Sequence, residues 1–532
     1  MSAATNISRP ELSVLAPLTV NEGGEFFARI ANISRQSFVY FAGTVVTAAS
    51  GYFFKIYLAR ALGPEMLGLY ALGMTIIGFT GVFNTIGLPT AAARFVAAYS
   101  ARGETSKLVA FLRDGLALLA GLNVLLVTAI VVAGPWFATR FYHAPKLNAY
   151  FWAFAGIMAL GVLNTFLGQI LAGYQAVAQR TLITHFIGTP ANIAIAVCLI
   201  SVGLGLTGYL LAQVLSAVLV LCLLGTLVWR RTPKYSALPR TTFHLGSEVL
   251  SFSAAAFGIT VLQFFLAQAD MIVLGHYVSA RQVGVYSVAM ALVGFVSVVL
   301  DSVNQIFSPV ISELHAAGNK VLLQQLYSAL TKWIVILTFP LALTLVLFSR
   351  ELMSIFGASF QPGAAVLVLG TIGQMLNCGV GSVGYLLLMS GNQSELIRIQ
   401  GVNAAVLITL NLALIPKLGI TGAAVATTIE TITTNLWALH SARRFLKLSP
   451  YHAGYLKLLA PAAASIVCLS LLSIAVAGFL RQWQVAGLGL ILGYLIFLGG
   501  IYLVGFEHED RQLARLAWAS IGQGFRKMAI AA

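Results

Sequence analysis

Six charged residues of this 532-residue chain stand inside or at the edge of long apolar runs: Lys55, Arg60, Arg94, Asp270, Asp301 and Glu430. A charge at the centre of a bilayer costs about 2.5–3.5 kcal/mol on insertion scales, so it faces a partner or a wet cavity. Glu430 lies about ten residues, or roughly 15 Å, from one end of its apolar run. Thr427, Thr428, Thr431, Thr433, Thr434 and Asn435 surround it. Two readings stand: a lumen-facing carboxylate that exchanges a proton, or a structural carboxylate held by its neighbours. Lys55 lies about one turn from the end of the first run. It either holds an anion in a cavity or snorkels its ammonium to the interface. Asp301 sits near Asn304 and Gln305, where a hydrated helix end explains it best. Arg60 stands five residues before Glu65 and can pair with it.

Other chemistry has little to work with. Cys198, Cys222, Cys378 and Cys468 all fall in apolar runs, and none forms a CxxC or metal-ligand spacing. The longest outer loop, Thr139–Ala149, offers only His143. No P-loop or dinucleotide motif lies on a strand–helix unit. A membrane glycosyltransferase or ligase would need more than this, so no enzymatic activity, metal or cofactor is expected. A net charge of +15 would suggest nucleic acid on a soluble chain. With 59% hydrophobic and 9% charged residues, it instead implies basic loops on a membrane protein.

The elements that carry these charges are long apolar helices. Each crossing takes about 20 residues, and only helices or closed barrels satisfy the backbone in lipid. The runs lack the alternation of barrel strands. Fourteen helices are expected, near Ser37–Ala59, Leu67–Gly87, Gly115–Ala133, Tyr150–Leu171, Leu182–Ile200, Gly208–Val228, Leu250–Leu274, Val283–Ile306, Leu330–Phe348, Gly363–Ser390, Leu396–Ile415, Ile420–Leu439, Leu456–Leu480 and Val485–Phe506. With the N-terminus inside, twenty-three of the Lys and Arg residues fall on cytoplasmic segments and seven on outer loops. That bias places both termini in the cytoplasm, at the inner membrane. Residues 1–36 and 507–532 read as cytoplasmic flanks. Each holds a stretch, 25–30 and 511–527, that suits either an interfacial helix or a plain solvated tail.

The chain repeats itself. Tyr57 onward reads YLARALGPEMLGLYALGM and Val273 onward reads VLGHYVSARQVGVYSVAM. Leu58 falls on Leu274, Gly68 on Gly284, Tyr70 on Tyr286 and Met74 on Met290. Gly173-Tyr174-Gln175 parallels Gly391-Asn392-Gln393, and Gly205–Gly208 parallels Gly419–Gly422. The expected organisation is a first six-helix lobe over 37–230, a linker over 231–246, a second lobe over 247–445, and two added helices over 446–506. Six is even, so the two lobes share one orientation and a pseudo-two-fold axis runs along the membrane normal. Repeats of this kind build alternating-access transporters. Lys55 falls on Met271 and Phe54 on Asp270. Lys55 and Asp270 are therefore expected at similar depth, meeting across the outer mouth when it is shut.

Several of these segments resemble a family. Arg60-Ala61-Leu62-Gly63-Pro64-Glu65 followed by Gly68-Leu69-Tyr70 is similar to the signature after the first helix of polysaccharide-biosynthesis flippases. Gly87-Leu88-Pro89 with Arg94, Ala172-Gly173-Tyr174-Gln175 and Ala269-Asp270-Met271-Ile272-Val273-Leu274-Gly275 also resemble that family. It belongs to the multidrug/oligosaccharidyl-lipid/polysaccharide exporter superfamily, with the MATE-type drug exporters and the lipid II flippase. The resemblance implies an all-α, two-lobed membrane carrier. Its cargo would be a polyprenyl-diphosphate-linked oligosaccharide, moved from the cytoplasmic to the outer leaflet. Coupling would be to H+, Na+ or the membrane potential. Glycosyltransferases and a polymerase would be its partners, and nucleic acid would not. Arg94 would then meet the incoming diphosphate, unless it only serves the positive-inside bias. The alternative is a MATE-type cation-coupled drug antiporter. Such exporters often carry a carboxylate in the first helix, where this chain has Lys55.

Overall fold

The computed structural model describes residues 20–233, 246–451, 453–475 and 482–504. The expected linker, apart from its ends, and the tail 507–532 lie outside the described residues. The helices in order are α1 (Val20–Thr85), α2 (Leu88–Ala101), α3 (Thr105–Arg140), α4 (Phe151–Gly173), α5 (Val177–Thr181), α6 (Thr189–Ser201), α7 (Gly205–Arg231), α8 (Ser247–Tyr277), α9 (Ala280–Ala316), α10 (Lys320–Leu347), α11 (Ser349–Ile355), α12 (Ala364–Val380), α13 (Val383–Met389), α14 (Gln393–Leu418), α15 (Ile420–Phe445), α16 (Leu459–Ala475) and α17 (Gln482–Val504). The chain is an all-α, multi-pass membrane protein.

Helix α1 has 66 residues. Straight, it would measure about 99 Å, three times the hydrocarbon thickness of roughly 30 Å. It folds back at Gly63, whose φ of 74° and ψ of 173° suit glycine and are followed by Pro64. Tyr209 reports the fold-back. Its ring lies 5.9 Å from Phe54 and 5.0 Å from Tyr70. A straight helix would hold those two residues about 24 Å apart. The first arm is helical from Val20, so it starts well before Ser37.

Twelve helices among the described residues are long and apolar enough to cross a membrane, against fourteen expected. The shortfall falls in two places. One apolar stretch, Ser50–Ala101, runs through the Gly63 turn. The other is α15, whose threonines and Glu430 lower its hydropathy. That helix is polar for a packing reason. It lies between α12 and α14, and Thr428 donates to the Leu369 carbonyl at 2.9 Å while Thr433 donates to Asn403 at 2.7 Å. By contrast, Val124, Leu125 and Val132 of α3 are exposed, as lipid-facing side chains are.

The repeat also shows in the backbone. Left-handed residues close or open matching helices at Gly103 and Gly318, Gln175 and Gly391, and Gly205 and Gly419. Gln175, and not Gly173, is therefore the counterpart of Gly391. Gly173 is inside α4, where a Cβ would press on Val96 and the Ala93 carbonyl.

The two halves meet along two seams. Along one, the second arm of α1 and α2 run the length of α8. Leu72 packs by Gly275, Phe79 lies 5.7 Å from Phe264, Phe83 lies 5.7 Å from Phe257, and Gly87 touches the Ser253 carbonyl. Along the other, α1 packs on α9 near Gly63. A Cβ on Gly68 would overlap the Ala280 carbonyl, and a Cβ on Gly284 would overlap the Pro64 carbonyl. Pro64 and Ala280 are repeat mates, as are Gly68 and Gly284, so each glycine seats against its counterpart's neighbour. Such reciprocity is what a two-fold relation between the halves produces. The small residues let the backbones touch. Further along this seam Tyr52 meets Phe295 at 4.6 Å. Beyond it, Val298 and Asp301 of α9 are exposed.

Candidate functional site

A cavity of about 440 Å³ opens where α1, α6, α7, α8 and α9 converge near the Gly63 turn. Its size is that of a ligand pocket, on the order of 300–1,000 Å³. Lys55 lines it together with Tyr70, Asn192, Tyr209, Met271 and Ser287. Lys55 and Met271 are repeat mates, and so are Ala71 and Ser287, which also line it. The cavity therefore straddles the pseudo-two-fold relation, and Lys55 breaks it by putting one cation on one side. Among the described residues no carboxylate lines the cavity.

Lys55 Nζ donates to the Ser287 carbonyl of α9 at 3.3 Å. The contact crosses between the halves. Asp270 stands behind the same wall. Its Oδ1 accepts from the Met271 amide at 2.7 Å and its Oδ2 from the Tyr286 hydroxyl at 2.6 Å. The expected Lys55–Asp270 ion pair is not formed in this conformation. The two side chains reach the adjacent residues Ser287 and Tyr286, and Asp270 already has two short hydrogen bonds.

The remaining candidates lie apart from the cavity. Arg60 Nε donates to the Ile355 carbonyl at 2.8 Å. Glu65 takes Lys146 at 2.7 Å instead of Arg60. Arg94 meets Glu248 at 3.5 Å and stacks 4.7 Å over Phe252, so it closes the end of the α2–α8 seam. Both partners of that pair are largely exposed, which leaves it worth little on its own. Asp301 is exposed and accepts from Ser297, one turn away on its own helix. Glu430 is half-buried. Its carboxylate accepts from Thr434 at 2.8 Å and Thr431 at 3.4 Å, both on α15. It touches neither the Lys55 cavity nor Asp270.

Sequence reasoning missed polar residues that line the cavity or hold its lining residues from behind. Gln213 donates to the Tyr70 hydroxyl at 2.8 Å, and Tyr209 packs beside it. His185 contacts Thr47 at 2.8 Å from a π-helical turn, Leu182–Gly188, that precedes α6. Such turns are frequent at functional sites. One signal was available: Tyr70 and Tyr286 are repeat mates, and both turn out to hold polar partners.

Against known proteins, residues 57–363 match a family described as polysaccharide biosynthesis protein. That match spans the Gly63 turn, the Lys55 wall residues of α9, and both seams apart from Tyr52. The chain belongs to this family. A relative in Haloferax volcanii, a probable low-salt glycan biosynthesis flippase, is 22% identical over 426 residues, 78% of this chain and 85% of its own. An uncharacterized membrane protein of Methanocaldococcus jannaschii is 23% identical over 407 residues, 72% of this chain and 78% of its own. Among solved structures, the lipid II flippase MurJ in an inward closed conformation has a TM-score of 0.66. It is 17% identical and covers 87% of this chain and 98% of its own. A multidrug resistance MATE transporter in an inward-facing conformation has a TM-score of 0.59 at 16% identity, covering 74% and 94%. The fold is thus that of the superfamily expected from the family motifs.

Proposed function

We propose that this member of the family is a flippase for polyprenyl-diphosphate-linked oligosaccharide, working by alternating access across the inner membrane. The observation that carries this reading is the cavity at the seam of the two halves, which holds the cation Lys55 and, among the described residues, no carboxylate. An ammonium there suits a diphosphate. The apolar wall of Leu58, Leu67, Ile193 and Met271 suits the start of a prenyl tail. The names of the Haloferax relative and of MurJ agree with such a cargo.

In this reading the chain crosses fourteen times, in two six-helix lobes and two added helices, with both termini in the cytoplasm. The Gly63 end is the outer face. Glycosyltransferases on the inner side and a polymerase on the outer side would be its partners, and it would itself catalyse no bond change. The MATE-type reading loses ground on the same observation, because a cationic drug would meet Lys55 with no carboxylate to hold it.

Depletion tests this directly. With no second flippase present, loss of the protein is expected to leave the lipid-linked glycan out of reach of a periplasmic probe, and the wild-type gene restores access. Normal exposure of the glycan in depleted cells would refute the flippase reading.

Coupling to protons would run through Glu430, the charge nearest the middle of α15. Glu430→Gln is then expected to flatten the pH dependence of translocation while leaving expression intact. A variant that keeps wild-type activity and pH profile removes Glu430 from the coupling.

A further inference from the structure

We propose that a second cavity, at the Gly63 end of the seam, binds an anionic saccharide and exists only while the two halves meet there. It rests on the reading above for two things: the Gly63 end as the outer face, and a glycan as cargo. The cavity measures about 540 Å³ and is separate from the one around Lys55. The first half contributes Glu65, Tyr142, His143 and Lys146, and the second contributes His276, Tyr277 and Arg281.

Its chemistry is that of a site for an acidic sugar. Tyr277 is exposed and presents an aromatic face with a polar tip, which suits the mixed surface of a pyranose, while Tyr142 is buried in the wall behind. His276 Nδ1–H donates to the Phe141 carbonyl at 2.8 Å. A carbonyl has no proton to give, so Nδ1 keeps its own. In the neutral ring Nε2 then carries the lone pair, an acceptor for a hydroxyl. The His143 ring stands 5.5 Å from it. His143 is held at a φ of 50°, a left-handed conformation that costs a non-glycine residue energy and clusters at ligand sites.

The charge balance is positive. Glu65 is taken by Lys146 at 2.7 Å, and that carboxylate pushes the Lys146 pKa up, so the ammonium stays charged. Among the described residues no carboxylate pairs with Arg281. Its guanidinium is free to fork onto a uronate carboxylate.

The walls come from both halves, and Ala280 links the cavity to the contact between them. Ala280 lines it, and its carbonyl is the group that Gly68 seats against. Parting the halves at this end would pull the walls apart. A ligand here therefore favours the closed outer face by its differential affinity. An acidic glycan accumulating outside would hold the carrier shut and slow further export.

The test uses the purified full chain in lipid nanodiscs, with oligoglucuronate, a neutral maltooligosaccharide and inorganic phosphate as probes. Calorimetry is expected to show oligoglucuronate binding, with Arg281→Ala at least tenfold weaker and Arg281→Lys intermediate. Spin labels at Asn148→Cys and Gln361→Cys, both exposed and outside the cavity, are expected to shift to the shorter distance when it binds. Equal binding of the neutral sugar overturns the proposal. So does inorganic phosphate that binds and competes as well as oligoglucuronate, or Arg281→Ala that binds as wild type. Translocation of lipid-linked glycan is measured in the same preparation before any probe is added. Translocation without oligoglucuronate binding removes this site and leaves the flippase standing. Binding without translocation supports the site and removes the flippase.

Discussion

Replacing Lys55 by Met is expected to slow glycan translocation tenfold to a hundredfold without weakening the fold. The side chains are similar in length, so the apolar part of the cavity wall beside Leu58 and Tyr209 is kept. What disappears is the ammonium and its bond to Ser287. A hydrogen bond to a charged partner contributes about 1.5–3 kcal/mol. At 1.4 kcal/mol per factor of ten, that is roughly one to two decades in affinity for a diphosphate. Stability should move the other way. Lys55 is a charge held at the seam with a single backbone acceptor, and removing a costly buried charge is commonly neutral or stabilising. The pair of measurements is the rate at which glycan becomes accessible outside and the melting temperature in nanodiscs. An unchanged rate would show that Lys55 only snorkels. A lowered melting temperature with a lowered rate would make it structural.

Gly68→Leu or Gly284→Leu is expected to hold the outer face open and abolish cycling. At each glycine an added Cβ would overlap a backbone carbonyl of the other half, Ala280 for Gly68 and Pro64 for Gly284. Backbone cannot move aside by changing rotamer, so the helices must separate. Interiors are packed too tightly to absorb that change locally. The outer ends of α1 and α9 would part, and the carrier could no longer return to this conformation. Distances between labels at Asn148→Cys and Gln361→Cys should lengthen in both variants, and translocation should fall at least tenfold. Because the two contacts are reciprocal, the double variant should resemble either single one. If the distances match wild type, closure does not depend on this crossing.

The membrane character, the approximate helix positions and the internal repeat were legible in the residues themselves. They depend on local pattern: apolar length sets a crossing, and glycine spacing sets a helix end. Gly68 and Gly284 were matched by spacing alone, and the structure then seats each against the other half. The expected number of helices differed from the hydropathy count at the Gly63 turn, where two arms read as one apolar stretch, and at α15, because local hydropathy reads a helix packed between α12 and α14 as too polar for lipid.

The site was less legible. Lys55 was a candidate from its type and depth, yet the pairing of Arg60 with Glu65 did not hold. Glu65 is claimed by Lys146, 81 residues away, and Arg60 by the Ile355 carbonyl, 295 residues away. Such partners are chosen by which helices touch, which no short-range pattern encodes. Asp270 is equally placed by the register of α8 on α9, which turns it toward Tyr286 and away from Lys55. The sequence by itself thus determined the solvent, the segments and their duplication, because burial in lipid acts on each residue locally. Tertiary structure alone decided which charges share a cavity, because that follows from how two packed halves meet.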